Sequence, residues 1–486
     1  MKKNIIFIHC DSMDGRIMGN MEHSAMVRAT PNLDALVDRG VQFRNAYCNS
    51  PVCCPSRASM WSGQFTHNCE GWNNHKGLEE DAPTFRTKLD EAGYKTVTFG
   101  KTDYLSGYHS IRSRVTSWAG AANIHRPTIR IGPPKVTDDD DPRIHKGDWN
   151  NIDKSIEWIK ETIESDEGKP FMLYLGIHTP HPSFFTSQRY MDMIEESGIT
   201  IPKKDKEVHP VIHFQKVAEN WEYGFSEEMV KLVRHIYFAM IAEVDAMVGK
   251  LVEAVEEMGL AENTYIIFSS DHGEMAMEHD MYYKMNMYEP SARVPLIVTG
   301  PGVSQGVKVD KLVSLVDIYP TLMDMADLEH PESLDGYSLM PELTGGESPR
   351  PDWVICEYHG ECRNANIFMF RHGDWKYIVY TGYEPQLFNV KEDPDEIHNL
   401  AKNRPDIVKE MDDMFRQVVD YEKVAARNER YNKESFRKWR EEEKKQGTYE
   451  ETMARIYSGW DNLSDEDIMP WTDEDEKLIE EWLERD

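Results

Sequence analysis

The run Ile5-Ile6-Phe7-Ile8, framed by Asn4 and His9 and leading straight into Cys10-Asp11, constrains the fold more than any other stretch. A half-buried strand alternates apolar and polar residues, whereas a continuous apolar run needs cover on both faces. That is the pattern of a parallel strand held between layers of helix. Further strands are expected at Thr96–Phe99, Phe171–Ile177, Tyr265–Ser270 and Pro295–Thr299. Between them lie helical patterns. Thr30-Pro31-Asn32 opens one with Leu33, Leu36 and Val37 on a single face, Thr84 to Ala92 forms a second, and Ser226 to about Met258 a long third. Apolar strands alternating with amphipathic helices predict an α/β fold with a mostly parallel sheet.

The 486 residues suffice for one large α/β domain and a smaller one. The texture changes at Gly345-Gly346-Glu347-Ser348-Pro349-Arg350-Pro351, which reads as a linker. We therefore expect an N-terminal domain over 1–345 and a C-terminal subdomain over 352–486. Strands at Phe368–Arg371 and Lys376–Tyr380 around His372-Gly373-Asp374 predict a small antiparallel sheet, with a helix from about Arg404. The charged tail beyond Tyr421 reads as solvated helices that Trp439, Trp460 and Trp482 dock on the body. Asp138–Asp141 reads as a surface loop, since the spacing of a calcium-binding EF-hand is absent.

With 86 acidic against 55 basic residues the formal net charge is −31, which disfavours nucleic acid and anionic membranes as partners. An anionic substrate would then need a local positive island. The seven cysteines are scattered without zinc-like pairing, so no disulfide scaffold is expected. No stretch approaches the roughly 18–20 apolar residues of a membrane span. The apolar run after Met1-Lys2-Lys3 is shorter than the roughly 7–15 residues of a signal-peptide core. These features read as a cytoplasmic protein of bacterial source.

Chemistry-bearing residues recur where the strands end: Asp11, Lys101, His178 and His181, Asp271 and His272. Ligands of open α/β sheets bind outside the carboxyl ends of the strands. Asp11 and the Asp271-His272 pair suit a divalent cation, which needs ligands on rigid elements. Taken singly, each is as readily a cap or a satisfied core polar group. Cys53-Cys54-Pro55-Ser56-Arg57 adds a C-x-P-x-R string. An isolated cysteine pair is ordinarily two core thiols. Here, however, Arg57 shares a helix face with Cys53 if a helix begins there. Lys101 and Lys284 are compact charges suited to anion oxygens.

Together, C-x-P-x-R continued by Ala58 through Ser62-Gly63, Asp11 after the first strand, and the later Asp271-His272-Gly273 resemble the type I, formylglycine-dependent sulfatases. The resemblance implies an alkaline-phosphatase-like α/β fold: a large mixed, mostly parallel sheet flanked by helices, with a smaller C-terminal α+β subdomain. It implies that a formylglycine-generating or sulfatase-maturating enzyme oxidises Cys53 to formylglycine, whose hydrate then attacks sulfur to give a covalent sulfoenzyme. Asp11, residue 53, Asp271 and His272 would share one divalent metal, usually calcium, with manganese or magnesium as alternatives because imidazole admits other ions. Arg57 would order the hydrated aldehyde, and Lys101 and Lys284 would hold the sulfuryl oxygens. His181 would protonate the leaving alcohol, with His178 as the alternative. Arg293 would make a structural ion pair.

Three departures stand out. Ser12 replaces a second aspartate, with Asp14 facing elsewhere; His272 replaces an asparagine; and Lys101-Thr102-Asp103 replaces Lys-x-His. Asp103 then either takes the role of that histidine or binds substrate. The single-Asp, Asp-His combination is also similar to choline sulfatases and phosphonate monoester hydrolases. Longer strings resemble one branch of the sulfatases, whose members act on 2-O-sulfated glucuronate of glycosaminoglycans: Asp11–Arg16, Gly100–Ser110, Trp375-Lys376-Tyr377-Ile378, Gln386-Leu387-Phe388 and Tyr431–Trp439. The expected substrate is thus a sulfated saccharide such as a 2-O-sulfated uronate. Asp103, His109, His178 and Arg363 are its candidate contacts, with Arg112 and Arg114 as further cations for a uronate carboxylate. A phosphonate monoester or phosphodiester hydrolase, and a non-catalytic sugar-binding protein, are the competing readings.

Overall fold

The structure is a computed structural model that describes residues 2–124, 132–165, 168–222, 224–456 and 469–485. Seven strands form the path of the central sheet: β1 (Asn4–Cys10), β2 (Gly40–Tyr47), β3 (Lys95–Gly100), β4 (Phe171–Gly176), β5 (Thr264–Ser270), β6 (Leu296–Thr299) and β7 (Val307–Ser314). Their spatial order is β7-β2-β6-β5-β1-β4-β3, and the two-residue strand Arg293–Val294 pairs with β2 off this path. β1 runs parallel to both neighbours, with His9 opposite Gly176 on one side and Ser269 on the other. Along the path only β6 reverses, antiparallel to β5 and to β2, and the off-path strand Arg293–Val294 is likewise antiparallel to β2. The expected mixed, mostly parallel sheet is therefore what forms. All seven residues of β1 and of β5 are buried, as continuous apolar runs require.

Two groups of helices flank the sheet. Glu227–Glu257 packs with Pro31–Asp38 and Lys146–Glu164, while Cys53–Ser62 packs with Phe85–Glu91 and Ile318–Met325. The long helix begins at Ser226, whose hydroxyl accepts the Met229 N–H at 3.2 Å, an N-cap visible in the sequence.

Four antiparallel strands, β8 (Trp353–Tyr358), β9 (Ile367–His372), β10 (Trp375–Tyr380) and β11 (Gln386–Asn389), make the smaller sheet in sequential order. Helix Pro405–Val418 covers it, with Phe415 stacked on Phe370 at 5.1 Å. The glycine-rich segment before β8 is not slack. The Arg350 side chain is buried, paired with Asp317 at 2.8 Å and Glu342 at 3.0 Å. Val354, Cys356 and Met369 of the small sheet belong to the same apolar core as β1 and β5. In the tail, Phe436, Trp439 and Trp482 pack with Trp118 of helix Arg112–Ala121, while Trp460 lies outside the described residues. No disulfide forms among the cysteines, all of which lie in described residues. Among the described residues no helix is long and apolar enough to cross a membrane.

Candidate active site

Helix Cys53–Ser62 is the element around which the site is built, and every one of its ten residues is buried. Pro55 sits in the first turn, where a missing N–H costs nothing, and Gly63 ends the helix with φ 67°. Trp61 anchors it, its ring stacked 4.2 Å from Tyr104 and 4.4 Å from Phe85. The helix thereby presents Cys53, at its first turn, to the ends of β1 and β5.

Asp11, Cys53, Asp271 and His272 converge there, with one ligand atom of each within 4.8 Å of the others, and all four are buried. Cys53 Sγ lies 3.4 Å from His272 Nε2 and 3.9 Å from Asp11 Oδ1. His272 Nδ1 donates to the Gly273 carbonyl at 2.9 Å, which turns Nε2, the nitrogen left available to a metal, into the cluster. Two carboxylates, an imidazole and residue 53, all dry and converging, fit a divalent cation. Asp138–Asp141 does not form such a group.

The carboxylates are matched by cations. Arg57 is fully buried, with Nε 2.8 Å from Asp271 Oδ2 and Nη2 3.8 Å from Asp11 Oδ2. Its remaining N–H groups go to the Lys101 carbonyl at 3.0 Å, the Tyr174 hydroxyl at 2.8 Å and the Cys10 carbonyl at 3.4 Å. Lys101 Nζ pairs with Asp11 and stands 3.3 Å from Asp103 Oδ2. Burial alone would raise Asp11, but Lys101 first, with His272 and Lys284, holds it well below the usual carboxylate range. For Asp271 burial is again outweighed, here first by Arg57. Burial and Asp11 push the Cys53 thiol up, while Lys101, Lys284 and His272 outweigh them and bring it down to about 7. In a chain of net charge −31, Arg57, Lys101 and Lys284 bring three cations to this one cluster.

Lys284 Nζ donates to His181 Nε2 at 2.8 Å, and His181 Nδ1 donates to the Pro182 carbonyl at 2.6 Å. Burial and the Lys284 ammonium push His181 down to about 3, so its ring is neutral here. His178 is exposed beside it, ring centroids 5.1 Å apart. Asp148 fastens this loop, accepting from His178 N at 3.0 Å and Thr179 N at 2.9 Å. On the other side Asp103 accepts from His109 Nε2 at 2.6 Å, and its Oδ1 is buried without a partner among the described residues. Burial opposes protonation of His109, yet the Asp103 hydrogen bond and charge raise it above an ordinary histidine.

Asp14 is turned away from the cluster, hydrogen-bonded to Arg16, and Arg293 is paired with Glu289 at 3.3 Å. Arg363 is buried in the small domain, where it donates to the His359 carbonyl and to Asn428 Oδ1. Arg112 is exposed, and Arg114 lies over the Tyr431 ring at 4.8 Å. Sequence reasoning missed His9, Tyr174, Asp148 and Gln215. The available signal was a histidine and a tyrosine inside runs read as apolar, since a buried polar atom must find a partner. His9 Nδ1 and the Tyr174 hydroxyl meet at 2.7 Å beneath Arg57.

Close backbone approach places Lys101. A Cβ on Gly176 would lie 1.9 Å from the Lys101 carbonyl oxygen, and Gly100 has φ 73° beside it. Gly176→Ala should force β3 from β4, cost about 1–3 kcal/mol and lower kcat/KM. Thermal unfolding and steady-state rates check this, and a wild-type Tm and rate would contradict it.

The model of the sulfatase family matches residues 3–328, and that of the N-sulphoglucosamine sulphohydrolase C-terminal region matches 277–422. Arylsulfatase K of Rattus norvegicus is 41% identical over 469 residues, spanning 90% of this chain and 82% of that protein. Arylsulfatase K of Homo sapiens is 40% identical over 465 residues, with 90% and 86% covered. This matches the branch suggested by the longer sequence strings. Among solved structures, a phosphonate monoester hydrolase of Agrobacterium radiobacter superposes with TM-score 0.71 at 24% identity, covering 88% of this chain and 96% of that one. A 2-O GAG sulfatase gives 0.70 at 24%, covering 88% and 94%. A protein solved with D-glucosamine-2-N,6-O-disulfate gives 0.69 at 22%, covering 88% and 99%. These likenesses show the fold, and it is the alkaline-phosphatase-like one expected. The arylsulfatase K relatives named are vertebrate proteins, so they lend no support to the expected bacterial, cytoplasmic setting.

Proposed function

The chain belongs to the sulfatase family and is a sulfuric ester hydrolase; from that premise we propose that it works through formylglycine at position 53 on a sulfated saccharide. The observation that carries this reading is the convergence of Asp11, Cys53, Asp271 and His272 inside a ring of Arg57, Lys101 and Lys284. Asp11, Asp271 and His272 would hold the metal, with calcium first and manganese or magnesium as alternatives. A divalent cation there supplies Lewis-acid charge stabilisation at a sulfuryl oxygen. A formylglycine hydrate supplies one hydroxyl to take the sulfuryl group and a second whose deprotonation releases sulfate, an oxidised state that a maturation enzyme must install.

The chain's own residues do the rest. Arg57 fixes Asp271 and the backbone of Lys101, so metal ligand and anion-binding lysine share one brace. Lys101 and Lys284 offer preorganised charge to the transferring group. Lys284 and His181 act as a pair: the imidazole is neutral and its Nε2 accepts from the ammonium, so the proton available to the leaving oxygen sits on Lys284 Nζ and passes to it either directly or after first moving to His181 Nε2. His178, His181, His109 and, in part, Lys101 reach solvent, and the saccharide would enter on their side. His109, whose pKa is raised by Asp103 against the pull of burial, suits a uronate carboxylate better than the buried Arg363.

The substrate reading, a 2-O-sulfated uronate, draws support from the arylsulfatase K branch and from a 2-O GAG sulfatase sharing the fold. Sulfate release from defined mono- and disaccharides is the test. Release from 2-O-sulfated uronates above 6-O- or N-sulfated glucosamine is expected, and the reverse order would reject it. Imidazole in the metal set favours one second reading, phosphonate monoester hydrolysis. A higher kcat/KM on a phenyl phosphonate monoester than on 4-nitrophenyl sulfate would establish that instead. Saccharide binding without turnover, with residue 53 unmodified, would mark a sugar-binding protein.

A further inference from the structure

Lys284 sits in a loop that has no reason of its own to keep its shape. Tyr283 has φ 66° and Met285 φ 73°, so a left-handed non-glycine residue stands on each side of the lysine. Such residues persist only where the surroundings over-determine them. Gln215 Nε2 donates to the Lys284 carbonyl at 2.8 Å, as does Asn286 Nδ2 at 3.3 Å, and Met285 N donates to the Pro51 carbonyl at 3.0 Å. The next anchor comes from the small sheet. Lys376 of β10 is fully buried and donates to the Met287 carbonyl at 3.0 Å. It also pairs with Glu289 and with Glu396, each at 2.7 Å. Glu396 in turn accepts the Glu289 N–H at 2.6 Å. Arg371 of β9 reaches Glu289 at 3.3 Å, and the Tyr47 hydroxyl donates to it at 2.8 Å.

We propose that Lys376, braced by Glu396, is a positioning residue through which the small C-terminal sheet sets the place of Lys284 in the active site. Fold stability alone does not call for a buried lysine between two carboxylates, since apolar groups of similar volume serve as well. What Lys376 does that an apolar residue cannot is hold a backbone carbonyl and a carboxylate three and five residues beyond Lys284. The inference rests on the reading of Lys284 as a sulfuryl-binding cation.

A double-mutant cycle tests it with 4-nitrophenyl sulfate and the full-length, matured enzyme. Lys376→Met should lower kcat/KM roughly 10- to 100-fold, the order expected of a misplaced charge. In a Lys284→Ala background the same change should cost less than about twofold, because residues acting through one another do not add. Lys376→Arg should recover part of the loss. If Lys376→Met does not fold, Glu396→Gln takes its place in the cycle. Equal losses in both backgrounds would overturn the positioning role while leaving Lys284 as a sulfuryl contact. A Lys284→Ala variant with wild-type kcat/KM would instead remove the reading of Lys284, and the inference with it.

Discussion

Cys53→Ala should abolish turnover, by roughly 10⁴-fold or more, while leaving the fold intact. The side chain is small, and alanine suits the first turn of a helix that Trp61 and the surrounding core already hold. Nothing else in the cluster can serve as the nucleophile. Asp11 is engaged by Lys101, Asp271 by Arg57, and His272 turns its Nε2 toward Asp11 and residue 53. The measurement is kcat for sulfate release, with circular dichroism and thermal unfolding as controls. Activity within tenfold of the unmutated enzyme, from a variant of confirmed mass, would be incompatible with residue 53 as nucleophile.

Arg57→Leu should be the most destabilising change in the site, costing about 3–5 kcal/mol because it strips the partner from a buried carboxylate. Both Arg57 and Asp271 are wholly inaccessible to water. Removing the guanidinium also leaves the Tyr174 hydroxyl and the Lys101 carbonyl without their donor. Asp271 is held below its usual range chiefly by Arg57 against the pull of burial. Without Arg57 its folded-state pKa rises. The stability it contributes, present above the unfolded carboxylate pKa and lost as pH falls through the folded one, shrinks accordingly. The urea midpoint should therefore drop at neutral pH and drop less in acid. A midpoint unchanged at neutral pH would show that the pair is not what holds the two strand ends together.

Much of the site was legible because it depends on residues that local patterns place. Apolar runs gave β1 and β5, and the first residue beyond each is a carboxylate that the fold delivers to one point. The direction of β6 was not legible. An apolar run says that a strand is buried but not which way it points. β2 and β7 escaped because each mixes apolar with polar or charged residues, in Gly40–Tyr47 and Val307–Ser314. β8 follows a glycine- and proline-rich segment that looks slack until Arg350 is seen paired with Asp317 and Glu342. The partners of Tyr174 and Lys376 could not have been nominated from sequence. They lie more than 80 residues away, at Arg57 and Met287 respectively, and only the folded register brings each pair together.

The complete burial of helix Cys53–Ser62 has a consequence for the order of events in the life of the chain. An enzyme that oxidises a cysteine must surround its sulfur, and here β1, β5 and the first turn of the helix already do so. Under the mechanism proposed above, oxidation of Cys53 would therefore belong to the nascent polypeptide, before the strands close over it. On that proposal, a cell lacking the oxidising enzyme would accumulate a well-folded, inert protein, which adding that enzyme afterwards would not awaken without unfolding. Yield and folding quality are then poor guides to active fraction, and the history of the chain during synthesis decides how many molecules can turn over.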